Sequence, residues 1–300
     1  MDSGLLRLYH VRWPRVAADI RQSVKIVLVD FHTHSTASDG AMAPAALLQR
    51  ALERGVGMLA ITDHDTVDGY LQARADARAD ALRLVPGVEF SCRWSGTTVH
   101  IVGLDMDCAH PAMREGLAQL DAARGERGEL IAQRLHARGF PGALDGALAQ
   151  AGDSQLGRPH FARWMVEQGH VKDVAEAFDR FLGQGKTGDV KAFWPELACA
   201  VRWIEDAGGI SVVAHPCKYR FTGMKLRRLL ADFVAAGGRA IEVRSGRQSS
   251  AQEQQLLRLA REFQLEISVG SDFHRDAPYA AELGVRARAS DGLRGVWERW

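Results

Sequence analysis

Residues 26–40 read Ile-Val-Leu-Val-Asp-Phe-His-Thr-His-Ser-Thr-Ala-Ser-Asp-Gly, and this stretch decides how the chain is read. Ile26–Phe31 is a short apolar run of the kind that forms a buried strand, and it closes on Asp30-Phe31-His32-Thr33-His34. In an extended chain, residues two apart point to the same face, so His32 and His34 can reach one ion together. Ser38-Asp39-Gly40 follows at once and adds a carboxylate.

Six further runs rich in Val, Ile or Leu repeat the strand signal: Met58–Thr62, Leu84–Glu89, Thr98–Leu104, Ile210–Ala214, Ala240–Val243 and Ile267–Gly270. Helical patterns lie between several of them, at Pro44–Gly55, Thr66–Leu82, Lys225–Ala236 and Ala251–Gln264. Alternating strand and helix implies an α/β architecture with a parallel sheet. The rhythm breaks between Asp105 and Val190, where Glu115–Arg138, Phe161–Gln168 and Val174–Leu182 are helical in composition and no strand run intervenes. This segment, 105–190, is expected to be a helical insertion in a domain made of 26–104 and 191–300. Residues 1–25 are expected to be an extension ahead of the first strand.

Ionisable residues sit at the ends of these runs. The second ends in Thr62-Asp63-His64-Asp65, the third in Gly87-Val88-Glu89, the fifth in Ala214-His215-Pro216 and the last in Gly270-Ser271-Asp272-Phe273-His274; the fourth contains His100. A single histidine is more often a hydrogen-bonded core residue than a ligand. Six of the eleven histidines, however, lie in or beside strand runs, where barrels and open α/β sheets place their sites, so the joint reading is a metal centre.

The bulk numbers narrow the class. A hydrophobic fraction of 46% and a charged fraction of 25% describe an ordinary globular chain. A net charge of +1 offers no broad basic surface for long nucleic acid, whereas a short anionic substrate needs only a local cluster of Arg and Lys. Cys92, Cys108, Cys199 and Cys217 form no C-x-x-C pair or disulfide framework, as expected of thiols in a reducing cytoplasm. No apolar run approaches the roughly 20 residues needed to cross a bilayer, and no obligate protein partner is indicated.

In order and in residue type, Asp30–Ser35 with Ser38-Asp39-Gly40, Thr62–Asp65, Gly87–Glu89, Ala214–Pro216 and Ser271–His274 resemble the successive motifs of the PHP (polymerase and histidinol phosphatase) superfamily. Within it the chain is most similar to the small stand-alone group that includes 3′,5′-nucleoside bisphosphate phosphatases and 5′-3′ exoribonucleases. The resemblance implies a distorted (β/α)7 barrel with two to three divalent metal ions in its mouth. Carried onto this sequence, one ion takes His32, His34, Glu89 and Asp272; a second shares Glu89 and adds His100 and His215; a third takes Asp39, His64 and His274. Asp30 and Asp63, which precede ligands, are expected to orient the imidazoles. Imidazole and carboxylate donors without thiolate leave Mn, Fe and Zn open, and the resemblance points to manganese.

Clustered divalent ions suit phosphate-ester hydrolysis, with His215 or His274 as a proton shuttle. Gly157-Arg158-Pro159-His160 opens a helical run, which places Arg158 and His160 at an anion-favouring N-terminus. Lys218-Tyr219-Arg220 follows His215-Pro216, and Arg244 follows a strand run. Tyr219, Phe221 and Trp194 are candidates to stack on a base. Two anion clamps beside a metal cluster suit a small-molecule nucleotide with two phosphates, or short RNA cut from a 5′-phosphorylated end. The competing readings are a histidinol-phosphate phosphatase and a non-catalytic metal-binding regulatory module.

Overall fold

The computed structural model describes residues 27–190, 194–278, 280–288 and 292–300, so the proposed extension at 1–25 lies outside the described residues. The strands are β1 (Val27–Asp30), β2 (Met58–Ala60), β3 (Arg83–Val85), β4 (Gly87–Trp94), β5 (Thr97–Leu104), β6 (Ile210–Val213), β7 (Ala240–Ser245), β8 (Glu266–Gly270) and β9 (Val285–Ala287). They form two hydrogen-bonded sheets, β3-β2-β1-β9 and β4-β5-β6-β7-β8. β1, β2 and β3 pair in parallel, as do β6, β7 and β8, whereas β4-β5, β5-β6 and β1-β9 are antiparallel.

The expectation of a parallel sheet therefore holds for β1–β3 and β6–β8 and is corrected for β4, β5 and β9. β4 and β5 are joined by a hairpin of two residues, Ser95 and Gly96, both at positive φ. So short a loop permits only antiparallel pairing. The run Leu84–Glu89 is not one strand either: its first half pairs with β2 and its second with β5, with Pro86 between. Proline has no N–H for a ladder, and at this break the chain leaves one sheet for the other. Gly87 is required there because any Cβ would meet the Ile61 carbonyl oxygen at 2.6 Å.

Helices cover the strands: α1 (Pro44–Glu53), α2 (Asp68–Arg74), α3 (Pro111–His136), α4 (Ala143–Ala151), α5 (Arg158–Glu167), α6 (Val174–Ala177), α7 (Leu197–Asp206), α8 (Gly223–Ala235) and α9 (Ser250–Glu262). α1 starts with Pro44 at its first position, where a missing N–H is harmless. α9 is closed by a Ser249–Gln252 capping box. α4 and α7 had no counterpart among the expected helices; Gly146 interrupts the pattern of α4.

Three apolar clusters result. The largest packs α7, α8 and α9 on the five-stranded sheet through residues such as Ile101, Val212, Ile204, Leu229 and Leu256. A second holds α1 to the four-stranded sheet through Leu47, Leu48, Leu59 and Ile61. The third belongs to α3–α6 alone and includes Ile131, Leu135, Phe161, Trp164 and Met165. Among the described residues, no helix is long and apolar enough to cross a membrane.

Candidate metal centre

The strand ends converge. His32 and His34 continue β1, are 1% and 0% exposed, and hold their rings 5.2 Å apart, as the two-residue repeat of an extended chain requires. Glu89 lies at the middle. Its Oε2 faces the His32 and His34 Nε2 atoms at 3.3 Å each and the His64 Nδ1 at 3.0 Å. Its Oε1 meets the His100 Nδ1 at 2.9 Å and the His215 Nε2 at 2.8 Å. Asp272 Oδ1 lies 3.6 Å from His32 and 3.4 Å from His34, and the His274 Nε2 is 3.3 Å from Asp39 Oδ1. All nine candidate ligands thus come together in four overlapping groups, the ligand atoms of each group lying within 4.8 Å of one another.

The donor atoms fit a cation. His32 Nε2, both ring nitrogens of His34, His64 Nδ1, His215 Nδ1, Asp39 Oδ1 and Glu89 Oε2 are buried without a hydrogen-bond partner among the described residues. Each such atom costs about 1–3 kcal/mol, so seven together rival the ~5–15 kcal/mol of a whole domain's stability. A divalent ion satisfies several at once, and an imidazole–carboxylate donor set without sulfur suits one.

Charge states agree. Burial pushes His215 down to about 3, and burial also lowers His64 and His274. Burial acts against ionised Glu89, but His64, His32 and His100 outweigh it and hold its carboxyl well below the usual range. Only His32 goes the other way: burial is outweighed by Glu242 and Glu89, and it rises to about 10. That corner of the site demands positive charge.

The backbone is bent to aim these groups. His215 and Asp272 have φ of 29° and 53°, a region costly to non-glycine residues and concentrated at functional sites. Asp272 is pinned by its N–H donating to the His32 carbonyl at 2.8 Å. Gly270 is needed beside them because a Cβ would strike the His32 side chain.

The expected orienters act differently from the reading of the sequence. Asp30 accepts from the backbone N–H groups of His32, Ser271 and Gly284, at 3.3, 2.8 and 2.8 Å. Asp63 accepts from Ser35 and from the Ser38 hydroxyl. Both therefore hold loops rather than rings. The residue that orients an imidazole is Glu242, which accepts from His32 Nδ1 at 3.1 Å and from the His215 N–H at 2.6 Å. It sits inside the run Ala240–Val243, and an acidic residue in the middle of an apolar run was the signal for it.

A cavity of ≈ 480 Å³ opens beside the cluster, bounded by Asp39, His64 and His100 on one side and by Arg124, Arg127, Arg158 and Trp194 on another. Arg158 lines it as expected, with its guanidinium donating to the Leu182 carbonyl at 3.0 Å and standing 3.8 Å from Asp189. Lys218 and Tyr219 also line it; Lys218 pairs with Asp272, and the Tyr219 hydroxyl accepts from the His100 N–H at 2.9 Å. Trp194 is a wall residue, 5.5 Å from both Arg124 and Arg127.

Three expected substrate residues stand elsewhere. His160 is fully buried and its ring nitrogens are engaged by the Gly157 N–H and the Ser154 hydroxyl, so it caps α5 and has no donor to spare. Arg220 is exposed outside the cavity. Arg244 is neutralised by Glu253 at 2.7 Å and faces a separate groove.

Arg124 and Arg127 were missed. They lie three apart on α3 and so share a face, but that spacing is indistinguishable from a solvated helix surface. Arg124 is 7% exposed and donates to Asp65 Oδ2 at 2.8 Å through Nε and to the Leu156 carbonyl at 3.0 Å. Asp65 in turn accepts from the Ser91 N–H at 2.6 Å. Arg127 donates through Nε to the Val190 carbonyl, leaving its terminal nitrogens unpartnered among the described residues. Burial, then Arg158 and Arg124, push it down to about 9. This wall calls for an anion.

Comparison with known proteins agrees with the geometry. Residues 30–138 match the PHP domain family. The chain is 45% identical to the 5'-3' exoribonuclease Rnm of Salmonella typhimurium over 91% of this chain and 94% of that one. It is 39% identical to the 3',5'-nucleoside bisphosphate phosphatase of Chromobacterium violaceum over 90% and 95% of the two. A solved structure described as an amidohydrolase from Chromobacterium violaceum, with bound sulfate and no metal, superposes with a TM-score of 0.82 at 38% identity, covering 90% of this chain and 95% of that one.

Proposed function

The chain belongs to the PHP family, and on that footing we propose that it is a metal-dependent phosphoesterase for small phosphorylated nucleotides. It removes the 3′-phosphate from nucleoside 3′,5′-bisphosphates, giving a 5′-nucleotide and phosphate, and also cuts short RNA from a 5′-phosphorylated end. The observation that carries this reading is one cavity with a metal-type donor cluster at its floor and an arginine wall at its side. A substrate with a phosphate at each end of one nucleoside matches both.

We assign one ion to His32, His34, Glu89 and Asp272, a second to Glu89, His100 and His215, and a third to Asp39, His64 and His274. Manganese is the ion favoured, with iron and zinc admitted by the same donors. When bound, such ions supply an ionised water at neutral pH and neutralise phosphoryl charge. The chain's own residues do the rest. Glu89 holds the cluster together through both oxygens, and Glu242 keeps the His32 ring in one tautomer and orientation. Lys218, close to Asp272 at the mouth, is placed to meet a non-bridging oxygen. His215 and His274 remain candidates to pass a proton to the leaving oxygen. Arg127 and Arg158 take the terminal phosphate, because Arg124 spends its donors on Asp65 and Leu156.

The two sheets are read as the wall of one distorted (β/α)7 barrel. Supporting this, the Phe31 N–H just past β1 donates to the Val269 carbonyl of β8 at 3.2 Å, and the Glu89 N–H of β4 to the Asp63 carbonyl just past β2 at 3.1 Å. Residues 105–190 are read as a helical insertion, in keeping with an apolar cluster of their own.

Phosphate release by metal-loaded protein from a nucleoside 3′,5′-bisphosphate, histidinol phosphate and 5′-phosphorylated oligoribonucleotides tests the reading, with metal content measured on the same sample. Turnover of the first and third and not the second is expected. Negligible rates on both nucleotide substrates remove the proposal.

A further inference from the structure

The cavity has the size of a site for one small ligand, so any substrate longer than a nucleotide must leave it over the rim. One part of that rim has features the fold does not need. Past Lys218 and Tyr219, Arg220 is exposed, adopts a φ of 52° and makes no hydrogen bond or ion pair among the described residues. A left-handed backbone is unfavourable for arginine, and an unpaired surface guanidinium returns nothing to stability. Phe221 follows, half-buried, its ring 5.4 Å from Tyr219. Met224, in the first turn of α8, is 83% exposed.

Lys225 ties this ledge to the cavity. Its Nζ lies 4.3 Å from the Phe221 ring centroid and donates to the Thr97 hydroxyl at 3.3 Å, and Thr97 lines the cavity. Of the nearby carboxylates, Asp272 is paired with Lys218, and Asp232 accepts from the Trp94 indole at 2.8 Å, leaving Arg220 and Lys225 in excess of its single charge. The ledge is therefore basic, with an aromatic edge and a flexible apolar side chain standing in water.

We propose that Arg220, Phe221, Met224 and Lys225 form a track for the nucleotides that follow the scissile phosphate of single-stranded RNA. Cations alternating with aromatic and apolar surface bind such strands without reading sequence: phosphates meet the cations and bases lie on the apolar groups. A protein-docking face is a poorer match, because the described exposed large hydrophobics are scattered: Leu71 on α2, Leu148 on α4, and Met224 and Val234 ten residues apart at opposite ends of α8. The proposal rests on the phosphoesterase reading and extends it: the cavity selects the terminal nucleotide, and the ledge selects for a chain attached to it.

The test compares wild type with Arg220→Glu and Met224→Glu, both at exposed positions outside the cavity, with thermal melts to verify folding. kcat/KM is measured for a nucleoside 3′,5′-bisphosphate and for a 5′-phosphorylated tetraribonucleotide at two salt concentrations. Each variant is expected to lose about tenfold on the tetranucleotide, mostly in KM, and to stay within about twofold on the bisphosphate. Arg220→Glu should also flatten the salt dependence by about one unit of slope. Unchanged tetranucleotide cleavage, or a parallel fall on both substrates, overturns the track. Wild type that cleaves the bisphosphate and not the tetranucleotide overturns it too while leaving the phosphoesterase reading intact; wild type inert on both sinks that reading first.

Discussion

The floor of the cavity and its arginine wall are built on opposite principles. The floor gathers imidazoles and carboxylates from the ends of different strands, with ring centroids as close as 4.1 Å for His34 and His274, and most of its donor atoms point inward with no protein partner. The wall draws its cations from α3 and the start of α5, and most of them are partly spoken for: Arg124 by Asp65, Arg158 by the Leu182 carbonyl. A floor of unsatisfied donors binds metal and does chemistry on any phosphate that reaches it. On the proposed reading, a wall of half-satisfied cations, with its own apolar core behind it, chooses which molecules arrive.

The contrast can be broken first at the floor. Asp272→Asn removes a carboxylate that lies 3.4 Å from His34 and 3.6 Å from His32. Turnover of every phosphate ester, simple or nucleotide, should fall by about three orders of magnitude, the several kcal/mol that an ion's charge stabilisation supplies. Steady-state rates with metal analysis on the same sample check this, and a variant that discriminated between substrates would place Asp272 on the wall side of the comparison.

The joint between the regions comes next. Arg124→Met leaves Asp65, 1% exposed, as a buried charge without its partner. Unfolding in denaturant should show a loss of about 3–5 kcal/mol. A loss under about 1 kcal/mol would mean that α3 is seated by apolar packing and that the ion pair sets only its register.

The smallest effect belongs to the wall proper. Arg127→Ala should raise KM for a nucleoside 3′,5′-bisphosphate by about 10- to 100-fold, the ~1.5–3 kcal/mol of a charge-assisted hydrogen bond. The rate on a simple phosphate monoester, which has no second phosphate to anchor, should not move. Equal losses on both substrates would make Arg127 part of the floor's electrostatics rather than a selector.

The two regions also differed in how far they could be read before folding. Most floor ligands stand at or next to the end of an apolar run, with His100 inside one and Asp39 in the turn that follows another, and both apolar alternation and strand-end placement are local properties of sequence. Glu242 was hidden because a lone acid inside Ala240–Val243 looks like an irregularity until His32, 210 residues away, is found against it. Arg124 and Arg127 were hidden because a three-residue spacing on a helix does not say which face is turned inward. His160 was misassigned for the complementary reason. A histidine three residues after a potential cap serves equally a ligand site or the cap itself, and the hydrogen bonds from Gly157 and to Ser154 decided for the cap.

The order of strands and helices, the helical run between β5 and β6 and the ligand-type residues at the strand ends were set by hydrophobic period and residue chemistry, which act over a few neighbours. Tertiary structure alone decided the break at Pro86 that sends β3 to one sheet and β4 to the other, the burial of Arg124 against Asp65 and the facing of an arginine wall onto the metal-type cluster. Those outcomes depend on which surfaces meet across long sequence separations, and burial turns an ordinary surface charge into one that must find a partner or a ligand.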